Sequence, residues 1–201
     1  MQISDIRKNK KHLTDIFIDG EFFTSIDTYI LSLSGLKIGG NIEKEELDSL
    51  IDKSNDYRSY NKAIYLLGFR DYSCKELKDK LKLEYPEESI EKTIEKLKSL
   101  KFLDDDRFAQ KYVRVLIFEK YFSKKRAKFE LIKKGIDKEL ASNIVEDVDV
   151  DVDEREQIKF LISHKYKDAY KDEKIKRRAM VFLQRYGYSF SDIASVLFRE
   201  E

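Results

Sequence analysis

Apolar side chains along this chain follow two different rhythms. Over residues 15–26, "DIFIDGEFFTSI", they alternate with polar ones around Asp19-Gly20. Alternation puts every second side chain on one face of a strand, and Asp-Gly suits a two-residue turn with positive φ. The pattern predicts a hairpin, and with "ISDIR" upstream a β unit of two or three strands. Gly35, Gly39 and Gly40 then mark a turn before a helix over about 43–53, and the polar run "KSNDYRSYN" reads as a linker. From Asn61 onward the spacing becomes helical. Ala63, Ile64, Leu66 and Leu67 form a first stripe; Ser73 and Glu76 make a capping box ahead of Leu77 and Leu81. Pro86 suits the first turn of the next helix, with Ile90, Ile94, Leu97 and Leu100 inward, and Asp104, Asp105 and Asp106 favour another helix start.

The helical part repeats itself. "YLLGFRDYSCKELKDKLKLEYPEESI" (65–90) and "VLIFEKYFSKKRAKFELIKKGIDKEL" (115–140) share Ser73/Ser123, Lys75/Lys125, Lys78/Lys128 and Leu81/Leu131. In the second copy Phe108, Val113, Leu116 and Ile117 belong to a long first helix. Ser123 caps a second helix that stops at Gly135, and Asp137 caps a third with Leu140, Ile144 and Val145 inward. A third, looser copy aligns Ala179 and Leu183 with Ala127 and Leu131, stops at Gly187 as at Gly135, and restarts with Ser189 and Asp192 as a second capping box. The expected fold is mainly α, in tandem three-helix repeats behind a small N-terminal β-hairpin unit. The expected divisions are 1–53, 60–112, 113–162 and a degenerate 163–201. Repeats of about fifty residues bury too little alone, so neighbours share core.

Composition sharpens this. Charged residues reach 39 % while Pro is single and Gly seven, which favours helix. No apolar run approaches a membrane span and the N-terminus lacks a signal peptide's apolar region. With a lone Cys, these point to a cytoplasmic chain. Forty basic against 39 acidic residues argue against coating DNA by charge alone. The charges are nevertheless sorted: residues 120–134 hold seven Lys/Arg against one Glu, and residues 137–156 two against nine acids.

The basic set Lys124, Lys125, Arg126, Lys128, Lys133 and Lys134, with Arg177, Arg178 and Arg185 in the third copy, is the main candidate surface. Nearby Tyr121, Phe122, Tyr186 and Tyr188 could stack on exposed bases or close the core between helices. Other chemistry finds little footing. Cys74 at a helix start has no His or second Cys beside it, and His12 and His164 lack ligand spacing. "DVDVDVDE" (147–154) puts Val152 where a calcium loop needs Gly and Ile158 where it needs Glu. No phosphate loop, nucleophile elbow or His–carboxylate pairing suggests an enzyme, and no cofactor is implied. A direct DNA binder is the rival reading; it would need base-reading Asn, Gln and Arg on an exposed helix, and these Lys-rich helices are poor in Asn and Gln. A helical adaptor for an unrelated protein would suit the acidic block.

The order of motifs resembles the RecX family of recombinase regulators. The family's Leu-x-x-Arg-x-x-Ser-x-x-Glu-Leu falls on Leu67, Arg70, Ser73, Glu76 and Leu77. Its Asp-x-x-Phe-Ala falls on Asp105, Phe108 and Ala109, and its Leu-x-x-Lys-Gly-Ile on Leu131, Lys134, Gly135 and Ile136. "FIDGEF" is similar to the start of longer members. The resemblance implies an elongated, curved array of repeats. It also implies a non-catalytic monomer that lodges in the groove of the RecA filament on single-stranded DNA. There it would restrain strand exchange, ATP hydrolysis and co-protease activity, and so regulate DNA repair and recombination. It would touch DNA weakly or indirectly. Arg70 is a further contact candidate by its charge, but a structural pairing with Asp71 or with Asp104–Asp106 is the favoured reading.

Overall fold

Strands β1 (Ile3–Lys8), β2 (Leu13–Ile18) and β3 (Glu21–Asp27) form an antiparallel sheet in that order. Asp19 (φ 51) and Gly20 (φ 89) are both left-handed, and the turn pairs Ile18 with Glu21 and Phe17 with Phe22, as the alternation predicts. Ile16 pairs with Thr24, so Phe23 is an extra residue on β3, a bulge. The computed structural model describes residues 1–9, 12–148 and 152–198, and the chain divides into two units, Met1–Leu103 and Asp104–Glu201. Asp149, Val150 and Asp151 of the acidic run lie outside the described residues.

In the first unit, Ile3, Ile16, Ile18 and Ile26 of the sheet bury against Leu31, Ile42, Leu47 and Leu50. Leu31 belongs to helix α1 (Thr28–Ser34), which the sequence pattern did not reveal. Asp27 caps it by accepting from the Tyr29 N–H, and Gly35 (φ 72) ends it. The larger correction concerns the run read as a linker. Residues 53–61 lie inside one continuous helix, α2 (Lys44–Leu67). Their polarity is that of close helix contacts. Ser54 Oγ accepts from the Asp27 N–H at 2.8 Å, and buried Ser59 accepts from Thr93 Oγ1 at 3.0 Å. A serine at such a contact lets backbones approach while its hydroxyl stays satisfied.

Helices α3 (Cys74–Leu81) and α4 (Glu87–Ser99) pack on the C-terminal half of α2, around Ala63, Leu77, Leu81, Ile90, Ile94 and Leu97. Ser73 and Glu76 form the expected reciprocal capping box, while Pro86 is the N-cap of α4 rather than a first-turn residue. Leu100, expected inward, is 49 % exposed, and Leu103 is buried in its place. The helix ends at Ser99, and left-handed Lys101 (φ 58) turns the chain so that the apolar register moves on by three.

The second unit opens with α5 (Asp105–Arg114), capped by Asp104 and running into a π turn, Val115–Glu119. Next come α6 (Lys124–Lys133), capped by Ser123, and α7 (Lys138–Asp147), capped by Asp137, with Gly135 (φ 88) between them. Phe108, Val113, Leu116, Ile117, Ala127, Leu131, Ile144 and Val145 share one core. Helices α8 (Glu154–Lys165), α9 (Glu173–Arg185) and α10 (Phe190–Leu197) enclose another, with Ile158, Leu161, Ala179, Leu183 and Ile193 inside. Ser189 caps α10 through the Asp192 N–H at 3.1 Å. The expected reciprocal box takes another form: the Asp192 carboxylate meets the serine hydroxyl itself, being a methylene shorter than the Glu of a full box. The two cores are joined by polar pins. Ser123 N–H donates to Tyr186 O at 3.0 Å, and Tyr188 Oη donates to Tyr121 O at 2.8 Å and Gln157 Oε1 at 3.0 Å.

Candidate functional site

The basic cluster is built on α6, and its orientation follows from two residues. Ala127 and Leu131 are fully buried, which fixes one face of the helix inward. Lys125 and Lys133 are then exposed, and Lys124, Lys128 and Lys134 half-buried. Apolar Phe129 and Ile132 share the outer side at 56 % and 38 % exposure. Charge draws attention to the lysines and Arg126, not to these two. Phe129 and Ile132 were legible as apolar residues off the Ala127/Leu131 stripe.

The first turn of α6 is electrostatically unusual. It holds Lys124, Lys125 and Arg126 and no acid, although the positive end of a helix dipole favours carboxylates. Each misplaced cation there costs roughly 0.3–1 kcal/mol. Ser123 accepts from the Arg126 N–H, and Glu154 Oε1 accepts from the Lys124 N–H at 2.8 Å, so a carboxylate from α8 supplies the missing negative charge. Cations kept against local preference mark a place where something other than folding decides the residue.

Helix α9 repeats the inward stripe and outer charge of α6, although its own first turn holds an acid, Glu173. Ala179 and Leu183 are fully buried, and Arg177, Arg178 and Arg185 are exposed, fifty-two positions after Lys125, Arg126 and Lys133. Val181, 50 % exposed, stands where Phe129 stands. The equivalence stops at Arg126. Its guanidinium pairs with Glu130 at 2.5 Å and lies 5.7 and 5.3 Å from the Phe122 and Phe129 rings, so it is tied into the surface of α6.

Arg70 belongs to the other unit and is committed locally. Its guanidinium sits 3.7 Å from the centre of the Tyr72 ring and donates to Glu76 Oε1 at 3.2 Å and Asp71 O at 2.9 Å. It braces the carboxylate of the capping box that starts α3. Of the four aromatics beside the charge, Tyr188 is buried and Phe122 packs edge-on to Tyr186 at 5.1 Å, which is the core-closing role. Burial pushes the Tyr188 hydroxyl's pKa well up, and the nearby Glu154 charge adds to it. Cys74 is buried at the start of α3. Among the described residues no helix is long and apolar enough to cross a membrane, and no group of three His, Cys, Asp or Glu could hold a metal.

Comparison with known proteins agrees with this architecture. Residues 60–97 match the first three-helix domain of RecX, and residues 104–143 match the second. A regulatory protein RecX of Clostridioides difficile strain 630 is 31 % identical over 199 residues, covering 97 % of this chain and 93 % of the relative. One from Clostridium beijerinckii is 30 % identical over 204 residues, covering 96 % and 92 %. A crystal structure of regulatory protein RecX superposes with a TM-score of 0.64 at 21 % identity and 99 % coverage of both chains, showing the fold. That of RecX from Lactobacillus salivarius gives 0.59 at 25 % identity, over 72 % of this chain and 95 % of that one. By sequence and by fold, the chain belongs to the RecX family of regulatory proteins.

Proposed function

We propose that this protein is a non-catalytic regulator that binds the RecA filament on single-stranded DNA. It inhibits strand exchange, ATP hydrolysis and co-protease activity, and thereby regulates DNA repair and recombination. Membership of the RecX family supports regulation of RecA. The observation that carries the surface assignment is the first turn of α6, where three cations stand at the end of the helix that disfavours them. Arg177 and Arg178, at the positions of Lys125 and Arg126, are exposed in the second turn of α9. Such a face suits phosphates and carboxylates in the groove of a nucleoprotein filament, where each contact is charge-assisted. A chain with 40 basic and 39 acidic residues gains little from long-range attraction to bare DNA, so docking is local and the recombinase supplies much of the contact. Sorted charge also fixes orientation, since the acidic 137–156 block would be repelled by a phosphate-lined surface.

The test is ATP hydrolysis by a RecA-type recombinase on single-stranded DNA, titrated with this protein. A saturable fall in hydrolysis is expected at substoichiometric or stoichiometric protein. Unchanged hydrolysis at excess protein would remove the reading.

A further inference from the structure

A cavity of about 400 Å³ opens in the Asp104–Glu201 unit, bordered by the end of the π turn, α8 and α9. Its wall carries a ladder of three rings. Tyr121 stacks on Phe160 with centroids 4.7 Å apart and planes 25° apart, and Phe160 lies 4.0 Å from the His164 ring. Phe160 is 39 % exposed and His164 is exposed, so the ladder is reached from solvent. Tyr121 is held in a left-handed backbone conformation (φ 55), and the Tyr188 hydroxyl fixes its carbonyl at 2.8 Å. A non-glycine residue kept there at a cost of order 1 kcal/mol marks a ring whose position matters.

Two exposed ammonium groups border the same cavity. Lys165 Nζ lies 4.7 Å from the Phe182 ring and 5.8 Å from that of Tyr186, and Lys120 Nζ lies 5.7 Å from the Tyr112 ring. Aromatic faces with cations at the rim are the combination that binds single strands, the rings taking bases and the cations the backbone. An arginine or lysine side chain from a protein would meet two like charges instead. The volume falls in the range of ligand pockets, roughly 300–1,000 Å³.

We propose that this cavity takes an unpaired base of single-stranded nucleic acid. The base extends the Tyr121–Phe160–His164 stack, and its flanking phosphates lie toward Lys120 and Lys165. This inference rests on the filament reading for the source of the strand, but its test uses the isolated protein. A short single-stranded oligodeoxynucleotide carrying 2-aminopurine is titrated at low salt and followed by anisotropy and by 2-aminopurine emission. The expected result is binding with quenched emission, absent for the same sequence in a duplex. Phe160→Leu and His164→Ala each weaken binding roughly tenfold and abolish the quenching, in the range of losing one base stack. Because His164 is exposed, its variant keeps the test decisive should Phe160→Leu unfold the unit, which circular dichroism reports. Glu119, also at the rim, opposes phosphate, and Glu119→Gln should tighten binding. Parental affinity and quenching in folded Phe160→Leu and His164→Ala would overturn the proposal. So would unquenched emission with the parent protein. Inhibition of recombinase ATPase is measured in parallel: its absence defeats the filament reading, while quenching judges the base site independently.

Discussion

Gly187 backs directly onto Ser123: a Cβ placed on Gly187 would fall 2.5 Å from Ser123 Oγ and 2.5 Å from Arg126 Cβ. The glycine that stops α9 is therefore also the point where α9 meets the start of α6. Gly187→Ala must adopt φ 93 and displace the serine that caps α6. We expect a loss of about 3 kcal/mol, the sum of left-handed strain and overpacking. Gly20→Ala, with nothing within 4 Å of its Cβ, should lose only about 1 kcal/mol. Chemical denaturation of both variants checks this, and equal losses would contradict the contact.

Continuity of α2 across residues 53–61 gives a second expectation. Asn55→Pro removes a mid-helix N–H and should cost about 3 kcal/mol or more. Hydrogen exchange should then rise both in the sheet and around Ala63 and Leu77, because the two halves of α2 serve both cores. A variant as stable as the parent would restore the linker reading.

Tyr188 links stability to alkaline pH. Its hydroxyl has a folded-state pKa raised above the ordinary value of 10.0, by burial first and the Glu154 charge second. A raised pKa means that the folded state holds its proton more tightly. The contribution is complete below about pH 10 and is lost progressively above it. Tyr188→Phe should cost about 1–2 kcal/mol at neutral pH, through its two lost hydrogen bonds. Its melting temperature should also fall less steeply than the parent's above pH 10. Parallel curves would exclude Tyr188 as the linked group.

Reversal of Lys124, Lys125 and Lys128 to Glu should raise the concentration needed to inhibit recombinase ATPase by about tenfold or more, since several phosphate or carboxylate contacts are lost at once. The fold should survive, because acids in the first turn complement the helix dipole that the native lysines oppose. Arg70→Ala should behave the other way. It should cost about 1 kcal/mol of stability through the Glu76 and Tyr72 contacts and leave inhibition unchanged. Full inhibition by the triple reversal would take the α6 face out of the interface.

Much of this architecture was readable before any coordinates. Asp19-Gly20 fixed a hairpin because backbone sterics leave that dipeptide few alternatives. Ser73, Ser123 and Asp137 announced helix starts because orphan N–H groups need a local acceptor. The failures share a cause. Ser54 and Ser59 looked like linker residues because their partners, Asp27 and Thr93, are far away in sequence. Helix α1 was too short to show a period, and Leu100 fell outward because a left-handed Lys101 carries no signature that distinguishes it from any other lysine. For the candidate site, the basic residues were evident and their commitments were not. Arg126 read as an available cation until Glu130 was seen beside it, and Arg70 pairs with Glu76 rather than with the Asp residues its sequence context offered. Phe160 drew no notice and His164 was weighed only as a metal ligand, because a stack between loop and helix has no fixed spacing.

The long α2 helix also makes this protein a poor candidate for trimming. Its 24 residues, at 1.5 Å each, act as a strut of about 36 Å that begins under the sheet and ends in the first helical group. A shortened chain starting near residue 60 would begin in the middle of that strut, leaving Thr93 without its serine and Ala63 on a fraying first turn. A twist or pull applied to the hairpin is passed to α3 and α4 as it would be along a rigid lever.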